Sequence, residues 1–577
     1  MYLKGFETKI MWMDAGGTLL GRCVMEAQIL ISAPPHDLLK LLWWKEHTGL
    51  SAVKHLPKWF RKKCRKLTEI IQQHHREELW SKADKYASAM SRLKLYSSYW
   101  ATDKPKALPF LIRVYGKPRY WPHEEREKLW RKILSIYEKL GECPDAHIRV
   151  NELLSEFPQD SRFPLVSLKT HHWLTWILKK RLEDEGDIKE IYVMKISIPE
   201  QEFHRLKEKR EFYEKRDKFL KVLTIKLSKW NPLRIGDELF IVLISEDNVK
   251  KVLSEIKITH ISCDIDIFTY HFGKVKISVG DKEKSYIRVR SYDFESFSVG
   301  VSEDWRYAPS ERVEWIRYMN YPYVAWISVR PVYNLQESAR KFLEWAEKEI
   351  LNETPKKEET TFKNNMSVCP ELLLSVAEGY SRFLLEFAKN IDSRVKPDEI
   401  TIVRSFDSSL FIYGLKKLSK TIEIYERLIR VVENLHIPVS FSIVVAKPKH
   451  PFWRVLNLFH KGHLIYVIGG RTVMLSDEEI ELLRKIIPLL ENVSKRQFHK
   501  VICNVKKMGK EELKLMIEGL AAEGKLGKEG EKVASKLCWL IDELAKRHPD
   551  EDKRVEVTYK TLKMLTSFMR KERGRGG

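Results

Sequence analysis

Twice along the chain an apolar strand leads into a helix, a hairpin, a second helix and a returning strand, and that order limits the folds open to it. The first pass opens with EIYVMKISI (190–198), continues through a charged helix ending near Trp230, and then supplies extended chain in LRIGDELFIVLIS (233–245) and a helix over EDNVKKVLSEI. The second opens with YVAWISVRPVY (323–333) and the helix LQESARKFLEWAEKEIL. A polar linker (352–365) and a helix over 367–391 lead to IVRSFDSSLFIYG (402–414), two apolar strands joined by a polar turn at Asp407. In the helix after it, Leu415, Leu418, Ile422, Tyr425, Ile429 and Val432 recur at spacings of three and four and form one apolar face. VSFSIVVA (439–446) closes the unit as a buried strand. Between the two passes, residues 257–320 read as a β-rich insert, with KVKISVGDKEKSYIRVRSY (274–292) a hairpin about an Asp-Lys-Glu-Lys turn.

Helical sequence flanks these units: residues 1–165, rich in Trp, His and Lys, and residues 461–569, followed by a disordered basic tail at 570–577. The fold class expected is α+β, with ferredoxin-like units at 166–256 and 321–460, the insert at 257–320 between them, and helical domains at both ends. The seven cysteines are scattered and form no CxxC, which points away from a disulfide framework or zinc ribbon and toward a reducing compartment. No apolar run approaches the ~18 residues that span a bilayer, and the N-terminus carries no evident secretory signal. A cytoplasmic protein with no membrane partner is expected.

A net charge of +23 favours a polyanionic partner, since each neutralised phosphate releases counterions. The densest basic cluster is KHLPKWFRKKCRK (54–66), in which Lys58, Arg61, Lys62, Lys63, Arg65 and Lys66 surround Trp59 and Phe60. Basic grooves with aromatics suit single-stranded nucleic acid, so Lys58, Trp59, Arg61, Lys62, Lys63, Arg65 and Lys66 are candidate contacts. RVYGKPRYWPHEEREKLWRK (113–132) repeats the mixture. Aromatics at helical spacing equally fill cores.

SFDSSLFIYG, its following helix and SIVVAKPKHPFWRVLNLF (442–459) resemble the second palm of the CRISPR type III effector large subunit, the polymerase/cyclase family of Csm and Cmr complexes. LKTHHWLTWILKKRL (168–182) is similar to that family's helix leading into the first palm, KISIPEQEF (195–203) to its strand exit, IGDELFIVLIS to its first-palm hairpin, and the segment from 475 to its C-terminal helical domain. The resemblance implies two palm domains behind an N-terminal HD phosphohydrolase-like domain. It also implies an RNA-guided antiviral ribonucleoprotein whose partners are crRNA, target RNA, a Cas5-type subunit and small subunits.

The family's catalytic motifs are degenerate here. Its GGDD corresponds to Ser405, Phe406, Asp407 and Ser408, which loses both glycines and one carboxylate. Palm chemistry needs two divalent cations on convergent oxygen ligands, yet Arg330 and Lys195 stand where acids would help. Asp407 then reads as a turn residue. Ser405, Asp407, Ser408 and Gly236 remain candidates for nucleotide contact, with ATP and Mg²⁺ or Mn²⁺ as the alternative cofactors and no metal as the main expectation. In the HD-like region, DLLKLLWWKEHTG (37–49) places Trp43 and Trp44 about where an adjacent His-Asp pair belongs, leaving His74, His75 and Asp84 as relics. Adjacent helical side chains diverge by about 100°, so neither His74–His75 nor His171–His172 is expected to share an ion. MDAGGTLLG (13–21) resembles a dehalogenase loop around Asp14, but Gly16 replaces its second acid. The reading is a catalytically inactive scaffold. The alternatives are an active cyclic-oligoadenylate synthase or single-strand DNA nuclease with unusual ligands, or a nucleotide-binding regulator.

Overall fold

The computed structural model describes residues 32–43, 47, 49–91, 110–160, 163–199, 209–259, 261–279, 282–299, 321–349, 368–391, 401–404, 409–418, 420–448, 450, 454–455, 457–459, 461–468, 471–475, 479–481, 484–490, 493, 495–526 and 529–566. The Asp14 loop, Trp44, Ser405, Asp407, Ser408 and the basic tail lie outside them.

An N-terminal helical layer comprises α1 (Gly49–Lys54), α2 (Lys58–Lys63), α3 (Arg65–Gln73) and α4 (Glu78–Ser91), followed by the short pair β1 (Phe110–Leu111) and β2 (Arg119–Tyr120). Then come α5 (His123–Leu140), α6 (Pro144–Leu154), the pair β3 (Pro158–Asp160) and β4 (Phe163–Ser167), and α7 (Leu168–Glu185). Ser167 caps α7 by accepting a hydrogen bond from the backbone N–H of Thr170, which satisfies one of the helix's orphan donors. The helix is buried nearly all round, with α4 packed along it and α6 and the later helix Pro370–Ile391 also against it.

The first sheet is built from β5 (Glu190–Ser197), α8 (Lys209–Lys226), β6 (Leu233–Ile235), β7 (Glu238–Leu243), α9 (Glu246–Ile258), β8 (Cys263–Val279) and β9 (Lys282–Val299). Its strand order is β6-β7-β5-β8-β9, antiparallel throughout. Strand β8 falls in the segment read from sequence as a separate insert, yet it pairs with β5 from Ser197↔Asp264 to Glu190↔His271. It is the fourth strand of a split β-α-β-β-α-β unit, and β9 extends the same sheet.

The second sheet repeats the order with β10 (Tyr323–Pro331), α10 (Leu335–Glu349), α11 (Pro370–Ile391), β11 (Thr401–Arg404), β12 (Ser409–Leu415), α12 (Lys420–Val432) and β13 (Val439–Ala446). Its order is β11-β12-β10-β13-β14-β15, where β14 (Leu464–Ile468) joins β13 in parallel and β15 (Arg471–Leu475) folds back on β14. The chain is thus α+β. The β14–β15 hairpin departs from the helical expectation after 470: two apolar runs flank Gly469–Gly470, a hairpin signal that outweighs the helical composition beyond. Helices Lys495–Asn504, Lys510–Ala522, Gly530–Arg547 and Glu551–Leu565 close the chain.

The N-terminal layer is welded to the second sheet. Gly116 N–H donates to Asn434 O at 2.7 Å and His436 N–H to Val114 O at 2.8 Å. A Cβ built on Gly379 of α11 would lie 2.5 Å from Val114 Cβ. Alanine improves helix propensity by about 1 kcal/mol, but an overlap with a stiff β-branched side chain costs about 1–3 kcal/mol. Gly379→Ala should therefore lower the urea midpoint at unchanged slope, by a shift equivalent to at most about 2 kcal/mol once the propensity gain is subtracted. A midpoint at or above the parent's would show that this approach relaxes freely.

Candidate metal centre

The sequence at 34–41 sets the centre. Pro34 and Pro35 fix φ and lead the chain into a turn, in which His36 N–H returns to Pro34 O at 2.8 Å and Leu38 N–H to Pro35 O at 3.2 Å, and Asp37 occupies the N-cap of a short 3-10 helix, Leu38–Leu41. His36 and Asp37 are fully buried, and so are His74, His171 and His172. The adjacent His-Asp pair expected from the sequence at Trp43–Trp44 is therefore present, a few residues earlier, as His36–Asp37. Trp43 is structural, stacked on His55 at 4.5 Å and edge-on to Trp130 at 5.3 Å.

Asp37 is the hub. Its Oδ1 lies 3.3 Å from His74 Nε2 and 3.6 Å from His47 Nε2; its Oδ2 lies 3.6 Å from His171 Nε2 and accepts from the Lys40 ammonium. Asp84, on α4, faces His171 Nε2 at 3.1 Å and His75 Nε2 at 3.8 Å. Two four-residue groups result, Asp37–His47–His74–His75 and His36–Asp37–Asp84–His171, each with one ligand atom per residue within 4.8 Å of the others. They share Asp37. The expectation that His74 and His75 diverge fails because α3 ends at Gln73, so the pair sits in a turn, with ring centroids 4.4 Å apart. For His171–His172, inside a helix, the divergence holds. His172 Nε2 accepts from Asp37 N–H at 3.4 Å and its Nδ1 donates to Asn151 Oδ1 at 2.9 Å, so it braces the Asp37 backbone.

Electrostatics match a cation-seeking site. Burial pushes His36 down to about 3 despite the neighbouring Asp37, and also holds His172 well below its usual range. Asp37 and Asp84 are held low against the opposing effect of burial, Asp37 by Lys40 and His36 and Asp84 by His171. His36 and His172 are thus kept neutral beside ionised carboxylates, whereas Asp84 and Glu371 raise His171 against the opposing effect of burial. His36 Nδ1 and Nε2, Asp37 Oδ1 and His74 Nε2 are buried with no hydrogen-bond partner. Each such atom costs about 1–3 kcal/mol. His74 Nδ1 donates to Ile71 O at 3.0 Å, which leaves its lone pair on Nε2 and aims it at Asp37. A divalent ion would satisfy these atoms together, and mixed imidazole–carboxylate donors suit first-row transition ions such as Mn²⁺. The residues fit a metal: His36, Asp37, Asp84 and His171 would hold one ion, and His47, His74 and His75 with Asp37 a second. Such an ion supplies Lewis acidity toward a phosphoryl oxygen and a nucleophile at neutral pH. The protein's own part is to fix Asp37 through His172 and to place the Lys40 charge beside it.

His36, Asp37, Lys40, His47 and Glu371 are not among the residues that motif reading singles out. His36–Asp37 is the one adjacent His-Asp in the chain, and that dipeptide was the available signal.

The other candidates fare differently. In the first sheet Lys195 is buried, with its ammonium 3.4 Å from Glu238 Oε1 and 3.2 Å from Asp266 Oδ2, so a fixed positive charge stands between the strand carboxylates. Gly236 takes a left-handed φ of 59° in the β6–β7 turn, and its carbonyl accepts from Arg234 Nε at 2.9 Å. Arg330 is exposed on β10, one residue beyond the Val329–Ser409 pair. In the basic cluster Phe60 is core, while Lys58, Trp59, Lys62, Lys63, Arg65 and Lys66 are exposed and Arg61 is half-buried. The 113–132 segment is chiefly structural. Trp121 is buried and donates to Glu156 O at 2.6 Å, and Arg113 and Arg119 pair with Glu156 and Glu125. Among the described residues no helix is long and apolar enough to cross a membrane.

No family model matches the sequence, and no curated protein does. Solved structures do match the fold. Csm1 of T. onnurineus aligns with a TM-score of 0.55 at 12% identity, over 95% of this chain and 100% of that one. A Csm1–Csm4 cassette in complex with cA4 aligns at TM-score 0.50 and 12% identity, over 94% of this chain and 100% of that one. A Csm1–Csm4 subcomplex of the type III-A CRISPR-Csm interference complex gives 0.50 at 10% identity, over 94% and 99%. At such identities the likeness is one of fold.

Proposed function

We propose that this chain is the large subunit of a type III-like CRISPR ribonucleoprotein that keeps a metal-dependent phosphodiesterase centre in its N-terminal helical layer. Its two palm-like units act as scaffold and do not make cyclic oligoadenylate. The observation that carries the reading is the convergence of His36, Asp37, His74, Asp84 and His171 with buried ligand atoms left unpaired. The Csm1-like fold supports the setting. The Lys195–Glu238–Asp266 cluster supports inactivity of the first palm, because its buried ammonium stands between both carboxylates, whereas Lys40 occupies only Oδ2 of Asp37 and leaves Oδ1 without a hydrogen-bond partner. The scaffold expectation is thereby kept for the palms and replaced for the HD-like region.

The substrate we assign is a single-stranded nucleic acid. Helix α3 has nine residues, about 13 Å, and joins the exposed basic face at its start to His74 at its end. A Csm4-like (Cas5-type) subunit, small subunits, crRNA and target RNA are the partners this setting implies, in the cytoplasm. The test is to supply the assembled complex with target RNA, ATP, manganese and single-stranded DNA together. DNA cutting without oligoadenylates in the mass spectrum is expected. Oligoadenylates that disappear in Asp407→Ala would overturn the scaffold assignment of the palms, and intact DNA would overturn the phosphodiesterase.

A further inference from the structure

Glu371 opens α11, the helix that feeds the second sheet, yet its side chain ends in the metal centre of the N-terminal layer. It is fully buried, and both carboxylate oxygens lack a hydrogen-bond partner. The polar groups it faces are His171, with Oε1 3.9 Å from Nδ1, and the neighbouring Cys369 thiol. A buried acid without partners costs free energy unless another state of the site uses it.

His171 has two neutral tautomers, and they call on different neighbours. In one, Gln159 Nε2 donates to Nδ1 at 2.9 Å, and His171 Nε2 carries the proton and donates to Asp84 Oδ1 at 3.1 Å. A metal ion can use Nε2 only if that proton is absent. The proton then sits on Nδ1 and needs an acceptor on the far side of the ring, where ligating histidines commonly meet a carboxylate. Glu371 stands there at 3.9 Å, beside Gln159, whose amide at 2.9 Å presents a donor to Nδ1 and would have to turn its oxygen inward to accept instead. Helix α11 is also fixed against α7 at a second point: seven residues on, Glu378 accepts from Lys169 at 3.1 Å and from Arg382 at 2.9 Å. Farther along, the Tyr380 hydroxyl donates to Val329 O of β10 at 3.1 Å, and Phe387 packs on Phe411 of β12. The helix holding Glu371 is therefore anchored in the second sheet.

We infer that Glu371 is a positioning residue: it accepts the Nδ1 proton of His171 and turns Nε2 toward Asp37 and Asp84, so that the second palm-like unit completes the metal centre of the N-terminal layer. The inference rests on the metal centre proposed above.

Manganese calorimetry on the whole chain tests it. Glu371→Leu removes the acceptor at similar volume and removes an unpaired buried carboxylate, so its melting temperature should match or exceed the parent's. Its manganese affinity should nevertheless fall about 10–100-fold. Glu371→Gln keeps an acceptor oxygen and should recover much of that loss. Glu378→Gln loosens the same helix without touching His171, and should lower the melting temperature while leaving affinity within about twofold, well short of that loss. A folded Glu371→Leu that binds manganese like the parent overturns the positioning role, as does an affinity loss that only tracks melting temperature across the variants. A parent that takes up no manganese sinks the metal centre itself and this inference with it, a result read before any variant is made.

Discussion

Manganese-supported cleavage of single-stranded DNA should fall by about 10²–10⁴ in Asp37→Asn, the several kcal/mol that a bound ion contributes to phosphoryl chemistry. Asp37 is the residue both ligand groups share, so its loss affects both at once. The substitution is nearly isosteric and leaves the backbone N–H that His172 accepts, so the local turn should survive. Its amide nevertheless presents an N–H₂ where an ionised oxygen faced His74, His47 or His171, and it leaves the Lys40 ammonium without its anion. Asp84→Asn removes a ligand from the His36–Asp37–Asp84–His171 group and, in the other group, only a carboxylate 3.8 Å from His75, so it bears chiefly on the first. Circular dichroism and gel filtration must match the parent first. Cleavage at the parent's rate in a folded Asp37→Asn would place the chemistry elsewhere or assign it to a contaminant.

The sheets are more legible in the sequence than the centre, for a physical reason. Strand and helix identity is written in local periodicity: EIYVMKISI and VSFSIVVA announce themselves, and the β-α-β-β-α-β order follows from counting such runs. The long β8 strand reads as part of an insert because its pairing partner, β5, lies some seventy residues upstream, and pairing distance leaves no local mark. The metal centre is harder still. Its ligands come from a turn before a 3-10 helix, the segment before α1, the end of α3, the middle of α4 and the first turn of α7, and only the tertiary fold sets their spacing. A single helix over 37–49 would put the His-Asp pair inward at Trp43–Trp44. The chain in fact turns at Asp37, directly after His36 and two prolines. Angular divergence separates His171 from His172, where the helix continues, and fails to separate His74 from His75, where it stops. Glu371 lies two hundred residues from His171 and carries no motif at all.

Reversing the exposed charges at Lys58, Lys62, Arg65 and Lys66 to Glu should flatten the salt dependence of single-strand binding by roughly 3 in log–log slope, about 0.7 for each phosphate no longer neutralised. These four are chosen because their side chains are exposed, whereas Arg61 is half-buried with its Nε enclosed and Lys63 donates to Glu138 O, so changing either would confound binding with folding. Trp59 is 36% exposed within the same cluster, beside the buried Phe60 that anchors α2 against Tyr137. Trp59→Ala should weaken binding by about 1–3 kcal/mol with little change in slope, because stacking on a base involves no counterion release. Charge reversal thus changes how affinity responds to salt, and ring removal changes affinity at every salt concentration. Because α3 carries this face toward His74, the reversed variant should also lose cleavage at moderate salt while its manganese affinity stays that of the parent, since none of the four residues belongs to the ligand groups. Fluorescence anisotropy across a salt series, run with guide RNA and with single-stranded DNA, decides the role of the face. Parent-like slopes for both strands in the folded variant would reduce the cluster to a solvated surface. A flattened slope for RNA alone, with DNA cutting intact, would assign it to guide binding and place the substrate strand elsewhere around the centre.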